Sequence, residues 1–485
     1  MSSQADPRAE APAASGERPG GGPPRSSFVA DLRAVLAEPG FRRLFATRLV
    51  SQAGDGVFNA GFAAYAFFSA ATFPNPAAAA SAAAVLYLPY SLIGPFAGVF
   101  IDRWSRRQIL VWSALIRAAL VVVAAFLVET GTLGFPLYVS VLAVLGVNRF
   151  FLSALSAALP HVVAEDKLVM ANAVAPTSGT IVGFAGGIAG LGVHLVTGGG
   201  HTGSAATLLV GGAGYAAAGL IGATMPRGLL GPNVDPAEPA PAGVRAEIAT
   251  VARGLAAGTQ HIWQRRQAAY ALGAAGGQRL LYGILLLMAV LLYRNYFYPS
   301  TGGNKALAHF TLVVITSALG YGAAALITPP ATRRLTKAAW IACLLGAGGV
   351  VEGLLGATFS QIPFLVLGFV LGVTAQGVSI CVVTIIQENV DDAYLGRVFS
   401  VYDMIYNVTF VLGAAVSVLF MPLTGKSYPL LAAVATGYLI AAVSYSVLSR
   451  RAQAGSHESN PAGSSGGGLG ASEAGETGGE PASIP

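Results

Sequence analysis

Six ionisable residues lie inside long apolar stretches of this sequence, where a charge is costly unless it pairs with another charge or faces water. Three are acids and three are bases, a balance that favours pairing inside the protein. A carboxyl group that alternates between a desolvated position and a position beside an arginine can bind and release a proton. The six residues are therefore candidates for a cavity that binds protons or substrate: Asp55, Arg117, Arg149, Arg279, Glu352 and Asp403.

Asp55 is the strongest candidate for a proton site. It lies ten residues into its apolar stretch, which is about 15 Å at 1.5 Å per helical residue. Two interpretations stay open: Asp55 titrates during function, or it forms a permanent salt bridge or helix cap. For Arg117, Glu352 and Asp403 we favour the structural interpretation. Nearby polar side chains that can contribute to the same cavity are Asn148, Gln278 and Gln376.

One loop carries a dense local motif, Gly98-x-x-x-Asp102-Arg103-x-x-Arg106-Arg107. Gly98 permits the close approach of another helix. Asp102 follows the end of an apolar stretch, where a carboxylate can accept hydrogen bonds from the N-terminus of a neighbouring helix. The three arginines are expected to hold the loop at the membrane surface. The alternative interpretation is an ordinary positively charged loop.

The elements that position these residues must cross a membrane, because the composition excludes a soluble fold of this length. Of the 485 residues, 54% are hydrophobic and only 10% are charged, whereas soluble domains have about 25% charged residues. Twelve stretches approach the roughly 20 apolar residues that span a bilayer. They are Phe45–Ala71, Ala78–Ile101, Ile109–Val128, Phe135–Ala158, Ala171–Thr197, Ser204–Met225, Gln267–Tyr293, Ala306–Thr328, Ala339–Phe359, Ile362–Ile386, Val398–Leu423 and Tyr428–Leu448.

The distribution of Lys and Arg predicts the orientation of these spans. With the N-terminus in the cytoplasm, only Arg294, Lys305 and Lys426 fall on the outer side, as the positive-inside rule requires. We therefore predict a multi-pass protein of the plasma membrane with both termini cytoplasmic. The predicted organisation is a disordered N-terminus (1–40), a six-helix bundle (41–225), a central cytoplasmic loop (226–266), a second six-helix bundle (267–450) and a disordered tail (451–485).

The two halves share landmarks at a constant offset of 226 residues. Asp166 falls on Asp392, Arg107 on Arg333 and Gly187 on Gly413. A single offset through several landmarks predicts a parallel internal repeat of six helices, an architecture known among transporters. Chance similarity between apolar helices is the alternative. In the central loop, residues 244–266 form either an amphipathic helix along the cytoplasmic face or a partly ordered linker.

The Gly98–Arg107 motif resembles the signature of the loop between helices two and three in the major facilitator superfamily, with Ser105 where glycine is usual. A degenerate second copy occupies Thr332–Lys337. The stretch Gln387–Ser400 is similar to the corresponding region of the efflux branches, with macrolide-efflux-like and siderophore-exporter-like members the most similar. In the fifth span, Gly179-x-x-x-Gly183-Phe184-Ala-Gly186-Gly187 partly resembles the glycine motif of antiporters, but plain helix packing is the favoured interpretation.

The resemblance implies an all-α membrane fold of twelve helices in two pseudo-symmetric six-helix bundles. It places helices one, four, seven and ten around a central cavity, which makes Asp55, Arg149 and Arg279 cavity candidates. It also implies that Asp102 latches the N-terminus of helix eleven near Arg397. The activity it implies is secondary transport of a small molecule, in particular proton-coupled efflux of a lipophilic or drug-like compound.

Other functional classes lack support in the sequence. No phosphate-binding loop, zinc-protease motif, cofactor motif or cysteine-based metal site is present, so we expect no enzyme activity, no cofactor and no metal. The basic residues are scattered in short loops rather than clustered as in a nucleic-acid binder. The expected partners are a small-molecule substrate, protons and lipid, with the chain acting as a monomer. An importer or uniporter of the same fold remains open, as does a membrane sensor or assembly protein that does not transport.

Overall fold

The computed structural model describes residues 33, 35–68, 76–92, 105–164, 168–231, 244–299 and 303–458. Three residues of the predicted gating loop, Gly98, Asp102 and Arg103, lie outside these ranges. So do most of the predicted N-terminal segment, most of the Pro-rich part of the central loop, and the tail from residue 459 onward.

All regular structure in the described part of the chain is helical. The first half contains α1 (Pro39–Phe68), α2 (Pro76–Leu92), α3 (Arg106–Glu129), α4 (Phe135–Ala158), α5 (Leu168–Val196) and α6 (Gly200–Ala223). The second half contains α7 (Val244–Gln264), α8 (Arg266–Leu291), α9 (Gly303–Arg334), α10 (Lys337–Val351), α11 (Gln361–Asn389), α12 (Asp392–Ser417) and α13 (Tyr428–Glu458). Short π-helical turns, Leu292–Phe297 and Glu352–Gly356, extend α8 and α10.

Every predicted span corresponds to a helix among the described residues. Ten of these helices, α3 to α6 and α8 to α13, are long and apolar enough to cross a membrane. Helix α1 is long enough but more polar, because it carries Arg48, Gln52, Asp55 and Asn59, and α2 is described over 17 residues. The predicted all-α membrane fold is confirmed. One boundary differs: α13 continues to Glu458, so the first residues of the predicted disordered tail are helical.

The helices pack mainly within each half of the chain. In the first half, α1 packs against α5 and α6, α3 against α4 and α6, and α2 against α4. In the second half, α8 packs against α11, α12 and α13, while α11 packs against α9 and α10. We call helices α1–α6 the first bundle and helices α8–α13 the second bundle. Helix α2 packs against α12 across the boundary between them.

Glycines allow α1 and α5 to touch backbone to backbone. A Cβ atom on Gly56 would collide with the carbonyl oxygen of Gly183, and one on Gly186 would collide with that of Ala53. The second bundle repeats this contact between α8 and α12, where a Cβ on Gly413 would collide with the carbonyl oxygen of Leu280. The predicted repeat aligns Gly187 of α5 with Gly413 of α12. These two glycines thus lie at equivalent contacts, α1 with α5 in the first bundle and α8 with α12 in the second.

The close contact between α1 and α5 predicts a strong effect for a single substitution. We expect Gly186→Val to lower the free energy of unfolding by about 3 kcal/mol, the upper end of the usual cost of overpacking, because the rigid backbone at Ala53 cannot move aside. Gly192→Val on the same helix is the matched control, since a Cβ there meets nothing within 4 Å. Thermal unfolding of the two purified variants measures the difference. Equal melting temperatures would contradict this description of the contact.

The central segment forms a helix that packs on the second bundle. Helix α7 contacts α12 and α8, which favours the helical interpretation of residues 244–266 over the linker interpretation. At its end, Arg265 Nη2 lies 3.0 Å from a carboxylate oxygen of Asp391, and the ring of His261 stacks on Tyr394 with centroids 4.4 Å apart. Trp263 on the free face is 75% exposed, as expected for a helix lying along a membrane surface.

Candidate functional site

Arg117 is the centre of a buried polar network in the first bundle. Its side chain is fully buried, and its Nη1 atom donates to Asp55 Oδ1 at 3.0 Å and to Asn148 Oδ1 at 2.6 Å. Its Nη2 atom donates to Ser51 Oγ at 2.7 Å. Asn148 Nδ2 also donates to Asp55 Oδ2 at 3.3 Å. The network therefore ties together α1, α3 and α4.

Two aromatic rings complete the surroundings of the Arg117 guanidinium. Its central carbon lies 4.1 Å from the ring centroid of Tyr215 and 4.6 Å from that of Phe151, both within the range of cation–π attraction. Tyr215 reaches this position because Gly54 lets α6 approach: a Cβ on Gly54 would lie 3.1 Å from the Tyr215 ring. Gly54, the glycine next to Asp55, thus allows the Tyr215 ring of α6 to pack beside the network.

Asp55 and Arg117 differ in how far they are buried. The Arg117 side chain has no exposed surface, whereas that of Asp55 is 17% exposed. The carboxylate is consequently the member of the pair that keeps some exposed surface. Protonation of Asp55 would remove the charge that holds Arg117.

A second pair of charges connects the two bundles. Arg149 on α4, next to Asn148, lies within electrostatic range of both Asp55 and Asp403. Asp403 lies eleven residues after the beginning of α12, which is about 16 Å into the helix, deeper than its position near the predicted span end suggests. Its surface is exposed. Charges of opposite sign thus lie within electrostatic range of each other across the bundle boundary.

Arg279 on α8 and Glu352 on α10 are both buried, and neither joins the Arg117 network. Arg279 lies over the ring of Tyr406, with its guanidinium carbon 3.6 Å from the centroid. Glu352 is fully buried. In the part of the chain that the structure describes, neither of its carboxylate oxygens meets a protein hydrogen-bond donor. Tyr438 of α13 lies within electrostatic range of Glu352.

The described residues of the predicted gating loop lie at the bundle surface. Arg106 Nη1 contacts His161 Nε2 at 3.0 Å and donates to the Leu230 carbonyl at 3.1 Å. Arg107 donates to the Ala223 carbonyl at 2.6 Å. Arg397 lies near the Tyr394 ring and packs against Gly258 of α7. The predicted latch between Asp102 and the region of Arg397 stays a prediction, because Asp102 lies outside the described residues.

Two mycobacterial proteins decide the family. The uncharacterized MFS-type transporters Mb0038c of Mycobacterium bovis and Rv0037c of Mycobacterium tuberculosis are each 34% identical to this chain over 424 residues, covering 87% of the chain and 94% of the relative. The chain belongs to the major facilitator superfamily. It is therefore a multi-pass membrane transporter and not an enzyme. No protein-family profile matches the sequence.

Solved structures share the fold of this major facilitator protein at low identity. The nucleoside transporter NupG superposes with a TM-score of 0.57 at 16% identity, over 85% of this chain and 98% of that one. The peptide transporter PepTSo gives a TM-score of 0.60 at 13% identity, over 86% and 99%. A bacterial homolog of the human lysosomal transporter Spinster, in an inward-facing and unoccupied conformation, gives 0.55 at 13%, over 87% and 96%.

Sequence reasoning on this major facilitator protein found the charged residues and Asn148, but it did not pair Asp55 with Arg117. It favoured a structural role for Arg117, and the structure puts Arg117 at the centre of the first-bundle network. Ser51 was missed, although it precedes Asp55 by one helical turn and this spacing was a usable signal. The aromatic neighbours carry no such signal, since tyrosine and phenylalanine recur throughout the spans. The missed aromatic neighbours are Tyr215 and Phe151 around Arg117, and Tyr87, Tyr321 and Tyr406 around Arg279.

Proposed function

We propose that this transporter exports a small lipophilic or drug-like compound across the plasma membrane in exchange for protons. The export direction rests on the similarity of Gln387–Ser400 to the macrolide-efflux-like and siderophore-exporter-like branches. In this proposal the protein works as a monomer with both termini in the cytoplasm. Asp55 carries the proton, while Arg149 and Asp403 respond to the same charge change at the bundle boundary.

The observation that carries the proposal is the uneven burial of the Asp55–Arg117 pair. A carboxylate that keeps some exposed surface, held by a guanidinium that has none, can exchange a proton without exposing the whole network. Protonation of Asp55 removes one partner of a buried ion pair, and such a change alters the interaction by several kcal/mol. That energy is large enough to shift a two-state equilibrium between bundle arrangements.

The contacts between the bundles support alternating access. At the end of the bundles away from α7, the rings of Phe68 and Phe310 lie 5.4 Å apart, and Asn304 Nδ2 donates to the Gly198 carbonyl at 3.5 Å. Further into the bundles, the rings of Tyr87 and Phe410 lie 4.2 Å apart across α2 and α12. These aromatic and polar contacts between the bundles can separate while the hydrophobic core of each bundle stays intact.

Proton movement in reconstituted vesicles tests the proposal. Purified protein is placed in proteoliposomes loaded with the pH-sensitive dye pyranine, and a panel of lipophilic compounds is added one at a time. We expect at least one compound to cause proton flux that a protonophore abolishes and that protein-free vesicles lack. Compound flux without proton flux would replace the proposal with the importer or uniporter alternative. Absence of both fluxes across the panel would favour a sensor or assembly protein.

A further inference from the structure

Arg279 is a buried arginine that pairs with no acid among the residues that the structure describes. Its residue surface is only 8% exposed. Within the described part of the chain, no carboxylate forms an ion pair with it, and its Nε atom has no protein acceptor. Arg117 at a similar depth in the first bundle has three polar partners. A guanidinium stays charged at every physiological pH, so the buried Nε–H group of Arg279 still requires an acceptor.

Aromatic side chains from four helices surround this guanidinium. Its central carbon lies 3.6 Å from the Tyr406 ring centroid, 5.5 Å from that of Tyr282 and 5.6 Å from that of Phe410. Tyr87 on α2 and Tyr321 on α9 lie within its electrostatic range. We call these five residues the aromatic cage. Ring faces attract the cation, but the guanidinium Nε–H group donates to none of the phenol oxygens of these tyrosines.

The cage lies at the boundary of the two bundles and at mid-depth. Arg279 is thirteen residues from the beginning of α8, about 20 Å along the helix. Tyr87 belongs to the first bundle, whereas Arg279 and the other cage residues belong to the second. The four tyrosines are each only half-buried, so the cage is not sealed inside either bundle. A ligand bound here would contact both bundles at once, which is the position a transported molecule must occupy.

The geometry points to a binding site for an organic anion with one negative charge and an apolar body. A carboxylate matches the guanidinium fork with two parallel hydrogen bonds, which supplies the missing acceptors, while the rings flank the apolar part. One guanidinium matches one negative charge, and Tyr402, which lies within electrostatic range of Arg279, also lies within range of the Asp403 carboxylate. The inference rests on the proposed function and narrows its lipophilic substrate to lipophilic carboxylates.

Binding to the purified full-length protein tests the site with a matched pair of probes. 2-Naphthoate and decanoate are carboxylates with apolar bodies, and 2-naphthamide has the shape of naphthoate without its charge. We expect at least one carboxylate to raise the melting temperature and to bind in titration calorimetry. We expect naphthamide to bind at least about tenfold more weakly than naphthoate, because a site built for a charged group rejects the analogue that lacks it.

Substitutions assign the binding to the cage. Arg279→Gln is expected to abolish carboxylate binding, and Tyr406→Leu is expected to weaken it. Arg334→Gln, at the exposed end of α9, is the control that retains it. Arg279→Gln is also expected to leave the melting temperature of the ligand-free protein unchanged or raised, because it removes a buried charge that has no acid partner.

Three results would overturn the site. They are failure of both carboxylates to bind, equal binding of naphthoate and naphthamide, and unchanged carboxylate binding in Arg279→Gln. A large loss of melting temperature in ligand-free Arg279→Gln would assign the guanidinium a structural role instead. These readouts do not depend on proton coupling. Carboxylate binding that requires Arg279 without any proton flux would reject the proposed function alone, whereas proton flux driven only by neutral compounds would reject the anion site alone.

Discussion

Asp55→Asn is expected to abolish gradient-driven accumulation of substrate while downhill exchange continues. The amide keeps an oxygen that can accept from Arg117 Nη1, so the network retains its shape, but it cannot bind a proton in place of a charge. A proton crossing 100 mV contributes about 2.3 kcal/mol, which corresponds to about fortyfold accumulation. The Asp55→Asn variant should lose this potential-driven accumulation of substrate. Accumulation in proteoliposomes with an imposed pH gradient and membrane potential measures it.

Glu388→Gln is the matched control for this experiment. Glu388 pairs with Lys337 at 2.7 Å at the exposed end of α11, so its substitution also removes a carboxylate from an ion pair but leaves the bundle interior intact. We expect its accumulation to equal that of the unaltered protein. Undiminished accumulation by Asp55→Asn would make the Asp55–Arg117 pair a permanent structural bridge and would remove Asp55 from the coupling mechanism.

Arg117→Met is expected to lower the free energy of unfolding by about 3 kcal/mol. Methionine fills much of the space of the arginine stem, but it leaves Asp55 without its cation and Asn148 and Ser51 without their donor. Removing one member of a buried pair is costly because the other charge stays behind. Protonation removes that remaining charge, so the deficit should shrink as the pH falls. Thermal unfolding of the purified variant at several pH values measures both effects.

A double variant separates the pair interaction from general damage. Adding Asp55→Asn to Arg117→Met removes the stranded charge, so we expect the double variant to be more stable than Arg117→Met alone. The coupling energy should exceed about 1 kcal/mol, as for residues in direct contact. Arg334→Met at the exposed end of α9 should change stability by less than about 0.5 kcal/mol. Additive effects of the two single substitutions would show that Asp55 and Arg117 do not stabilise one another.

The contrast between Arg117 and Arg279 connects these experiments. Both are buried arginines at mid-depth, one in each bundle, yet Arg117 has an acid and two further polar acceptors whereas Arg279 has aromatic rings. We therefore expect opposite results when each charge is removed from the ligand-free protein: loss of stability at Arg117 and none at Arg279. In the proposed mechanism the first bundle holds the proton, and the substrate binds Arg279 of the second bundle at the boundary with the first.

The sequence by itself determined the fold class and the position of the candidate site residues along their spans. Stretches of about 20 apolar residues must cross the bilayer as helices, because backbone groups find no other partners there. Counting along each stretch then gives depth, which is why Asp55, Arg149 and Arg279 were identified as interior residues. The Gly98–Arg107 motif indicated the family by resemblance. The aligned glycines predicted the internal repeat, and they lie at the contacts of α5 and α12 with their neighbouring helices.

Only the tertiary structure decided which interior residues meet. Asp55 and Arg117 are 62 positions apart, and their pairing depends on how α1 and α3 are rotated about their axes. That rotation follows from backbone contacts such as Gly56 with Gly183 and Gly54 with α6, which involve residues distant in sequence. A depth count fixes the height of a side chain but not the direction in which it points. For the same reason the sequence identified Arg279 as a charged residue inside a span, but it could not predict that aromatic side chains from four helices surround it.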